Sequence, residues 1–442
     1  MTKFGAAVML WLTAPIMRIK LIYPSWQRLQ YQTHYVLPPL GITVVAALTP
    51  AGHDVTITDE NVEPVDYDEP VDLVGISTML VAQAPRAFAI ADEFRRRGVR
   101  VVLGGLAVTC LPQLSRQHAD AVVLGEAEGV WARVVEDAAY GRLKPDYQRE
   151  GFADGREIPS ARRDLLNPNF YSYRGVRMMD LMETSRGCRF GCFPCQVPIV
   201  SGRAHRQRDV EAVVDEMGAL ESDRVFIVDN AMEQNEDHQR RLFKAMARAK
   251  KRWVAHPISA KPDILELAAK SGCWFVYQAI FSDADKVRDK IKMFHDFGIA
   301  VEGTILLGTD KQGPDIFKRM VDFLLKSEID LAEFTVLTPF PGTPFFDEMR
   351  RAGRLLHENW GLYNAENVVF KPAHMTPEQL EEGYRYVWDA FYKDETQAAK
   401  MFRLYRRLAK PWPIAAPEKR VILNQKAGES ALWGGVVGHG RA

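Results

Sequence analysis

Short β-branched runs separated by amphipathic stretches recur along most of this chain in two blocks, and no other feature limits its fold as strongly. Strands covered on both faces read as continuous apolar runs, and parallel strands need a long, usually helical, crossover between them. In the first block the runs are Ile19–Tyr23, Val55–Thr58, Leu73–Ser77, Val99–Leu103 and Ala121–Leu124. Leu40–Leu48, Ala84–Arg97 and Val130–Tyr140 lie between or after them with helical periodicity. The middle one ends in Arg95, Arg96 and Arg97 followed by Gly98, where a helix C-terminus favours cations and glycine. The pattern predicts an α/β fold that begins with a doubly wound, flavodoxin/Rossmann-like parallel sheet.

Residues 141–177 interrupt the alternation with Pro145, Pro159, Pro168 and several glycines, and read as a connection that wraps between domains. The alternation then resumes at Met178–Glu183, Val225–Asp229, Trp253–Ile258, Trp274–Ala279, Val301–Leu307 and Phe334–Leu337. Six β/α units in a row predict a partial (β/α)6 barrel of the TIM type. A helix start at Thr376 to Gln379 and aromatic residues through Tyr405 predict a helical C-terminal cap. The expected division is an N-terminal extension over 1–16, a first α/β domain over 17–145, a linker over 146–177, a barrel core over 178–370 and a helical region over 371–442. Phe4–Ile16 after Lys3 shares features with a secretory signal but is too short to span a bilayer, and Met17 stands directly before the first strand.

Lys and Arg number 57 and Asp and Glu 57, so the chain carries no basic excess for nucleic acid or for an anionic membrane surface. That balance points to small-molecule substrates. Three of the five cysteines fall within eight residues, which is no disulfide framework and fits metal ligation in a reducing compartment, hence an expected cytoplasmic location.

Those three, Cys188, Cys192 and Cys195, form a CxxxCxxC directly after the first strand of the second block. Parallel sheets and barrels keep their chemistry on loops at strand C-termini. Three thiolates on one loop can hold three irons of a four-iron cluster and leave the fourth iron open to a substrate. Neither Cys110 nor Cys273 has the local spacing of a fourth ligand, and Cys273 reads as a small buried hydrophobe. The alternative from the residues alone is a zinc site of the three cysteines with His205. His53, His118 and His238 stand singly and read as structural, and the chain has no GxGxxG, Walker loop or HExxH.

On these residues the chain resembles the radical S-adenosylmethionine superfamily, in the branch with an N-terminal cobalamin-binding domain. The resemblance rests on the cysteine motif, on Gly202-Arg203 with Arg206 and Arg208, on Val228-Asp229-Asn230, on Gly303-Thr304 with Gly308, and on the run from Thr338 to Pro344. It implies an enzyme with a 4Fe–4S cluster on Cys188, Cys192 and Cys195, S-adenosylmethionine on the open iron, a 5′-deoxyadenosyl radical, and an external electron donor of the flavodoxin or ferredoxin type. The reaction it implies first is cobalamin-dependent methylation of an unactivated carbon of a small molecule. Radical rearrangement, cyclisation, oxidation or dehydration, with or without cobalamin, is the alternative, and a non-catalytic metal- or cobalamin-binding module a third.

The resemblance further implies contacts to S-adenosylmethionine from Phe193, Asp229, Asn230, Ser259 and Gln278. Pro194 stands where the superfamily usually has an aromatic residue, and Tyr277-Gln278-Ala279 where many relatives have a Gly-Phe-Glu-type segment. For cobalamin it implies Ser77, Gly104, Gly105, Gly125 and Glu126, since glycines at strand ends let a flat macrocycle or its tail approach the backbone. The chain lacks an Asp-x-His-x-x-Gly loop, and Leu106-Ala107 follow the glycine pair where close relatives often place a histidine.

Overall fold

The computed structural model describes residues 15–27, 31, 36–173, 175–283, 285–393 and 395–408. Most of the expected N-terminal extension, and residues 409–442 of the helical region, lie outside the described residues.

Two parallel six-stranded sheets follow one another. The first contains β1 (Arg18–Tyr23), β2 (Asp54–Asp59), β3 (Leu73–Thr78), β4 (Arg100–Gly105), β5 (Ala121–Leu124) and β6 (Asp146–Gln148) in the order 2-1-3-4-5-6. Helices α1 (Leu40–Ala47), α2 (Ala84–Arg96), α3 (Leu106–Cys110), α4 (Pro112–His118) and α5 (Trp131–Ala139) connect them. The chain reverses its direction across the sheet between β1 and β3, the switch point beyond whose strand ends such folds open a crevice.

Both faces of this sheet are covered. Ile19, Leu21, Leu73 and Val123 pack with Ile42 of α1 and with Trp131, Val134, Val135 and Ala138 of α5. The spacing of those α5 residues puts them on one helical stripe. Ile22, Val74, Ile76 and Leu103 pack on the other side with Phe88, Ile90 and Phe94 of α2. Lys20, only 2% exposed, is tolerated there by its ion pair with Glu69.

The sixth strand departs from the five expected. β6 falls at the start of the predicted linker, pairs with β5, and buries only Tyr147 of its three residues, too little to show as a periodic pattern. The rest of the connection lies along the first sheet, with Arg162 N–H donating to the Thr43 carbonyl and the Tyr171 hydroxyl to Asp59. It includes a small ladder of β7 (Ser172–Tyr173) and β8 (Val176–Arg177).

The second sheet contains β9 (Asp180–Met182), then, after a hairpin of β10 (Ser185–Arg186) and β11 (Arg206–Gln207), β12 (Arg224–Ile227), β13 (Arg252–Ala255), β14 (Cys273–Ile280), β15 (Ala300–Leu307) and β16 (Leu331–Val336). Its order is 16-15-14-13-12-9, all parallel, so the sheet curves through six strands as a partial barrel with two unpaired edges. Helices α6 (Val197–Val200), α7 (Val210–Ala219), α8 (Glu236–Met246), α9 (Pro262–Lys270), α10 (Asp285–Asp296), α11 (Ile316–Lys326) and α12 (Pro344–Arg351) follow in turn. Val225, Trp253, Val276, Val301, Ile305 and Val336 meet the helices in the largest core. The opposite, inner face holds a smaller cluster of Met179, Val254, Phe275 and Ala300, closed from below by Leu404. That leucine comes from α14 (Glu395–Leu408), which follows α13 (Pro377–Tyr392) and completes the expected helical cap. Among the described residues no helix is long and apolar enough to cross a membrane.

Candidate active site

The cysteines sit in the loop between β10 and β11, on the C-terminal side of β9. Gly187 has φ +84°, and a Cβ there would lie 2.1 Å from the Ala204 carbonyl oxygen, so only glycine lets the loop leave β10 at this angle. Cys188 N–H donates to the Gly202 carbonyl at 3.0 Å and Cys195 N–H to the Cys192 carbonyl at 3.1 Å, which folds the loop back on itself. Cys188 is buried while Cys192 and Cys195 are exposed. Burial raises the Cys188 thiol above its ordinary range, a penalty that bound iron would offset by supplying positive charge to the thiolate.

Among the described residues no three His, Cys, Asp or Glu side chains converge on a position for a single metal ion. His205, the fourth ligand of the zinc alternative, points elsewhere. Its Nε2 bonds to Ser185 Oγ at 2.9 Å, and the Ser185 hydroxyl in turn donates to Asp229 Oδ2 at 2.6 Å. Three thiols on one loop are the donor set that three corners of an iron–sulfur cube require.

The residues expected around S-adenosylmethionine divide into groups. Phe193, on the cysteine loop and 52% exposed, sets its ring edge-on to Phe345 at 4.2 Å and leaves much of its face free. Asp229, 2% exposed, accepts from Thr184 N–H, Thr184 Oγ1 and Ser185 Oγ, each at 2.6 Å. Its carboxylate is therefore committed to the chain just ahead of the cysteines, a structural role the sequence reading did not foresee. Asn230 beside it is only partly covered and remains at the strand end. Ser259 is taken up by Gln239 of α8, which donates to Ser259 Oγ at 2.9 Å and accepts from its N–H at 3.0 Å. Gln278 shares the face of Val276 and Ile280, which pack against the helices, and its Nε2 is buried without a partner among the described residues.

The inner wall of the barrel shows residues that the sequence reading did not single out. Phe226 and Tyr277 stack at 5.3 Å, and His256 meets both edge-on. His256 Nδ1–H donates to the Asp229 carbonyl at 2.8 Å, and burial lowers its pKa, so the ring is neutral with Nε2 left as an acceptor. Glu302 and Glu333 stand on neighbouring strands opposite the helix-facing Val301 and Phe334. Burial, and for Glu302 also the charge of Glu333, raises both carboxyls above the usual range. A charged residue in a β-branched strand was the available signal.

His238 lies under the same loop, 5.9 Å from the His205 ring. It is 3% exposed, and neither ring nitrogen has a hydrogen-bond partner among the described residues. Burial, with lesser contributions from His205 and Arg241, lowers its pKa from 6.5 to about 4. The unfolded chain takes up this proton from about pH 6.5 downward while the folded chain refuses it until about pH 4. Stability is thus expected to fall as pH drops through that window, by about 3 kcal/mol for this group. Urea denaturation at stepped pH should show the fall, and His238→Leu should flatten it; an unchanged slope in the variant would refute the assignment.

A cavity of about 150 Å³ opens at the C-terminal ends of the first sheet, a size that holds one aromatic ring. All five residues expected there, Ser77, Gly104, Gly105, Gly125 and Glu126, line it, with Arg186 of the second layer at its rim. Its wall is partly bare backbone. A Cβ on Gly125 would meet nothing within 4 Å, and one on Gly104 only Val123. Gly105 is different: at φ +92° its Cβ would lie 2.1 Å from the Thr78 carbonyl oxygen, so it fixes the turn into α3. The Glu126 carboxylate is occupied by Arg206, at 2.6 and 3.0 Å, and by Ala153 N–H at 2.7 Å. What it leaves for a ligand is its backbone.

Fold and cysteine loop together define the class. By both, the chain is similar to the cobalamin-binding branch of the radical S-adenosylmethionine superfamily. Residues 32–135 match the B12 binding domain family. The chain is 28% identical over 391 residues to bacteriochlorophyllide d C-12(1)-methyltransferase of Chlorobaculum tepidum, covering 82% of this chain and 84% of the relative. It is 23% identical over 355 residues to the hopanoid C-2 methylase of Rhodopseudomonas palustris, covering 73% and 66%. Among solved structures, the radical S-adenosylmethionine methyltransferase TsrM of Kitasatospora setae with tryptophan substrate and a S-adenosylmethionine analogue bound superposes with a TM-score of 0.62 at 16% identity, over 84% of this chain and 89% of that one.

Proposed function

We propose that this chain is a radical S-adenosylmethionine methyltransferase that uses cobalamin to methylate an unactivated carbon of a small molecule. The observation that carries the reading is the placement of the glycine-walled cavity against the cysteine loop: Arg186, two residues ahead of Cys188, forms part of the cavity rim. Both parallel sheets thereby bring their strand C-termini to one place, which two cofactors acting on one substrate require. When bound, the cluster with S-adenosylmethionine supplies a radical that removes hydrogen from carbon, and cobalamin supplies the methyl group.

The chain's own residues hold and orient. Cys188, Cys192 and Cys195 would hold three irons. Phe193 would offer a ring face and Asn230 a polar side chain to S-adenosylmethionine. Asp229 fixes Thr184 and Ser185, and with them the entry to the cysteine loop. Ser77, Gly104 and Gly125 leave room for a cobalamin tail. Within the barrel, the stacked Phe226 and Tyr277 give an apolar shelf for a substrate, while Glu302 and Glu333, whose environment favours the acid form, offer hydrogen bonds. Leu404 closes the floor and keeps water from that side. Electrons come from a flavodoxin- or ferredoxin-type donor, and the reaction belongs to the cytoplasm, where such donors and reduced thiols persist.

The chlorophyllide and hopanoid compounds named for the relatives are the first substrates to try. Anaerobic turnover with a reductant, S-adenosylmethionine and hydroxocobalamin should yield 5′-deoxyadenosine, S-adenosylhomocysteine and a product one methyl group heavier. 5′-Deoxyadenosine without S-adenosylhomocysteine would replace methylation with another radical reaction.

A further inference from the structure

The cysteine loop is tied to the first domain at both of its ends. Ahead of Cys188, Arg186 uses its whole guanidinium. Nε and Nη2 donate to the two carboxylate oxygens of Glu183 at 2.7 and 2.6 Å, and Nη1 donates to Glu128 Oε1 at 2.8 Å. Glu126 stands 3.5 Å away and is gripped by Arg206, the partner of Arg186 across the β10–β11 ladder. After Cys195, the buried Gln196 donates from Nε2 to Cys110 Sγ and to the Pro341 carbonyl, both at 3.1 Å. Burial raises the Cys110 thiol to about 12, so it stays an uncharged acceptor.

Each tie ends on a wall segment of the cavity. Glu126 and Glu128 follow β5 and line the cavity directly. Cys110 closes α3, the helix that starts at the rigid turn of Gly105. The Arg186 tie is stiff for electrostatic reasons. Three carboxylates, Glu126, Glu128 and Glu183, surround two guanidiniums, and no side chain of the five is more than 16% exposed. Removing one cation from such a group leaves like charges facing each other at low dielectric.

We propose that Arg186 and Gln196 are positioning residues that join the cysteine loop and the cobalamin cavity into one mechanical unit, so that filling the cavity changes the surroundings of the cluster and the reverse. This rests on the function proposed above and adds to it a coupling that neither cofactor site contains alone. By reciprocity, a cluster that alters the affinity for cobalamin must have its own environment altered by cobalamin to the same degree.

The test uses the full chain with and without reconstituted cluster. Hydroxocobalamin is titrated by its visible spectrum into both forms, and the electron paramagnetic resonance of the reduced cluster is recorded with and without hydroxocobalamin. Wild-type protein should show dissociation constants differing by about 5-fold or more between the two forms, the lower end of ordinary coupling, and g-values that move on loading. Arg186→Lys keeps the charge but cannot fork to Glu183 and Glu128 together, and Gln196→Leu removes the second tie at similar volume. Each should bring the ratio toward one and abolish the g-value shift with iron content near wild type, and Gln196→Leu, which lies off the cavity, should also keep the wild-type affinity of the cluster-free form. A wild-type ratio of one, or variants that keep the wild-type ratio and shift, would overturn the coupling. Protein that takes up neither cobalamin nor iron would instead overturn the function on which it rests.

Discussion

Alanine at any one of Cys188, Cys192 and Cys195 is expected to leave the chain folded and to remove its cluster and its cleavage of S-adenosylmethionine. Cys192 and Cys195 are exposed, so their truncation takes little from any core, and Cys188, though buried, belongs to none of the hydrophobic clusters of the described residues. The cost falls on the metal. With two thiolates left, a four-iron cube has two corners unheld and no cysteine nearby to substitute, since Cys273 is buried on the helix side of β14 and Cys110 is engaged by Gln196. Anaerobic reconstitution should load about four irons per wild-type chain and far fewer in each variant, with circular dichroism unchanged. Wild-type iron and absorption in all three variants would show that the loop is not the cluster site.

Gly104→Phe is expected to weaken cobalamin binding strongly while the cluster still assembles. A Cβ at Gly104 would have only Val123 near it, at 3.6 Å, so Gly104→Ala should be almost silent. A phenyl ring, in contrast, fills a cavity of about 150 Å³ that holds one ring. Losing about 3 kcal/mol of binding free energy in this way is about a hundredfold in dissociation constant, read by hydroxocobalamin titration. Gly105→Ala should fail differently, by misfolding, because its Cβ would collide with the Thr78 backbone. Equal hydroxocobalamin affinity in wild type and Gly104→Phe would place cobalamin elsewhere.

The sheet strands other than β6 were legible as apolar runs between helical stretches, and the cysteine loop because its spacing is local. The glycine-walled cavity followed from the rule that ligands sit beyond strand C-termini, applied to Gly104, Gly105 and Gly125. What stayed hidden depends on partners distant in the chain. Glu126 was taken for a ligand contact, but its carboxylate meets Arg206, 80 residues away. Asp229 likewise turns to Thr184 and Ser185 rather than outward. Gln278 illustrates a different difficulty: the β13–β14 register shifts between Trp253 and Val254, and such a shift decides which face each later residue takes. Glu302 and Glu333 are far apart in the sequence, and only the pairing of β15 with β16 brings them onto one face.

The leucine at the barrel floor has a consequence for biosynthesis. Leu404 arrives on α14, after all six barrel strands and some 70 residues beyond β16. A ribosome releases the N-terminal part first, so the nascent barrel passes through a stage in which Met179, Val254, Phe275 and Ala300 are exposed from below. During that interval the iron-binding loop already exists while the chamber beneath it is still wet. Cluster insertion before translation ends would therefore put iron into a barrel open to solvent, and the late helix makes maturation after synthesis the protected order of events.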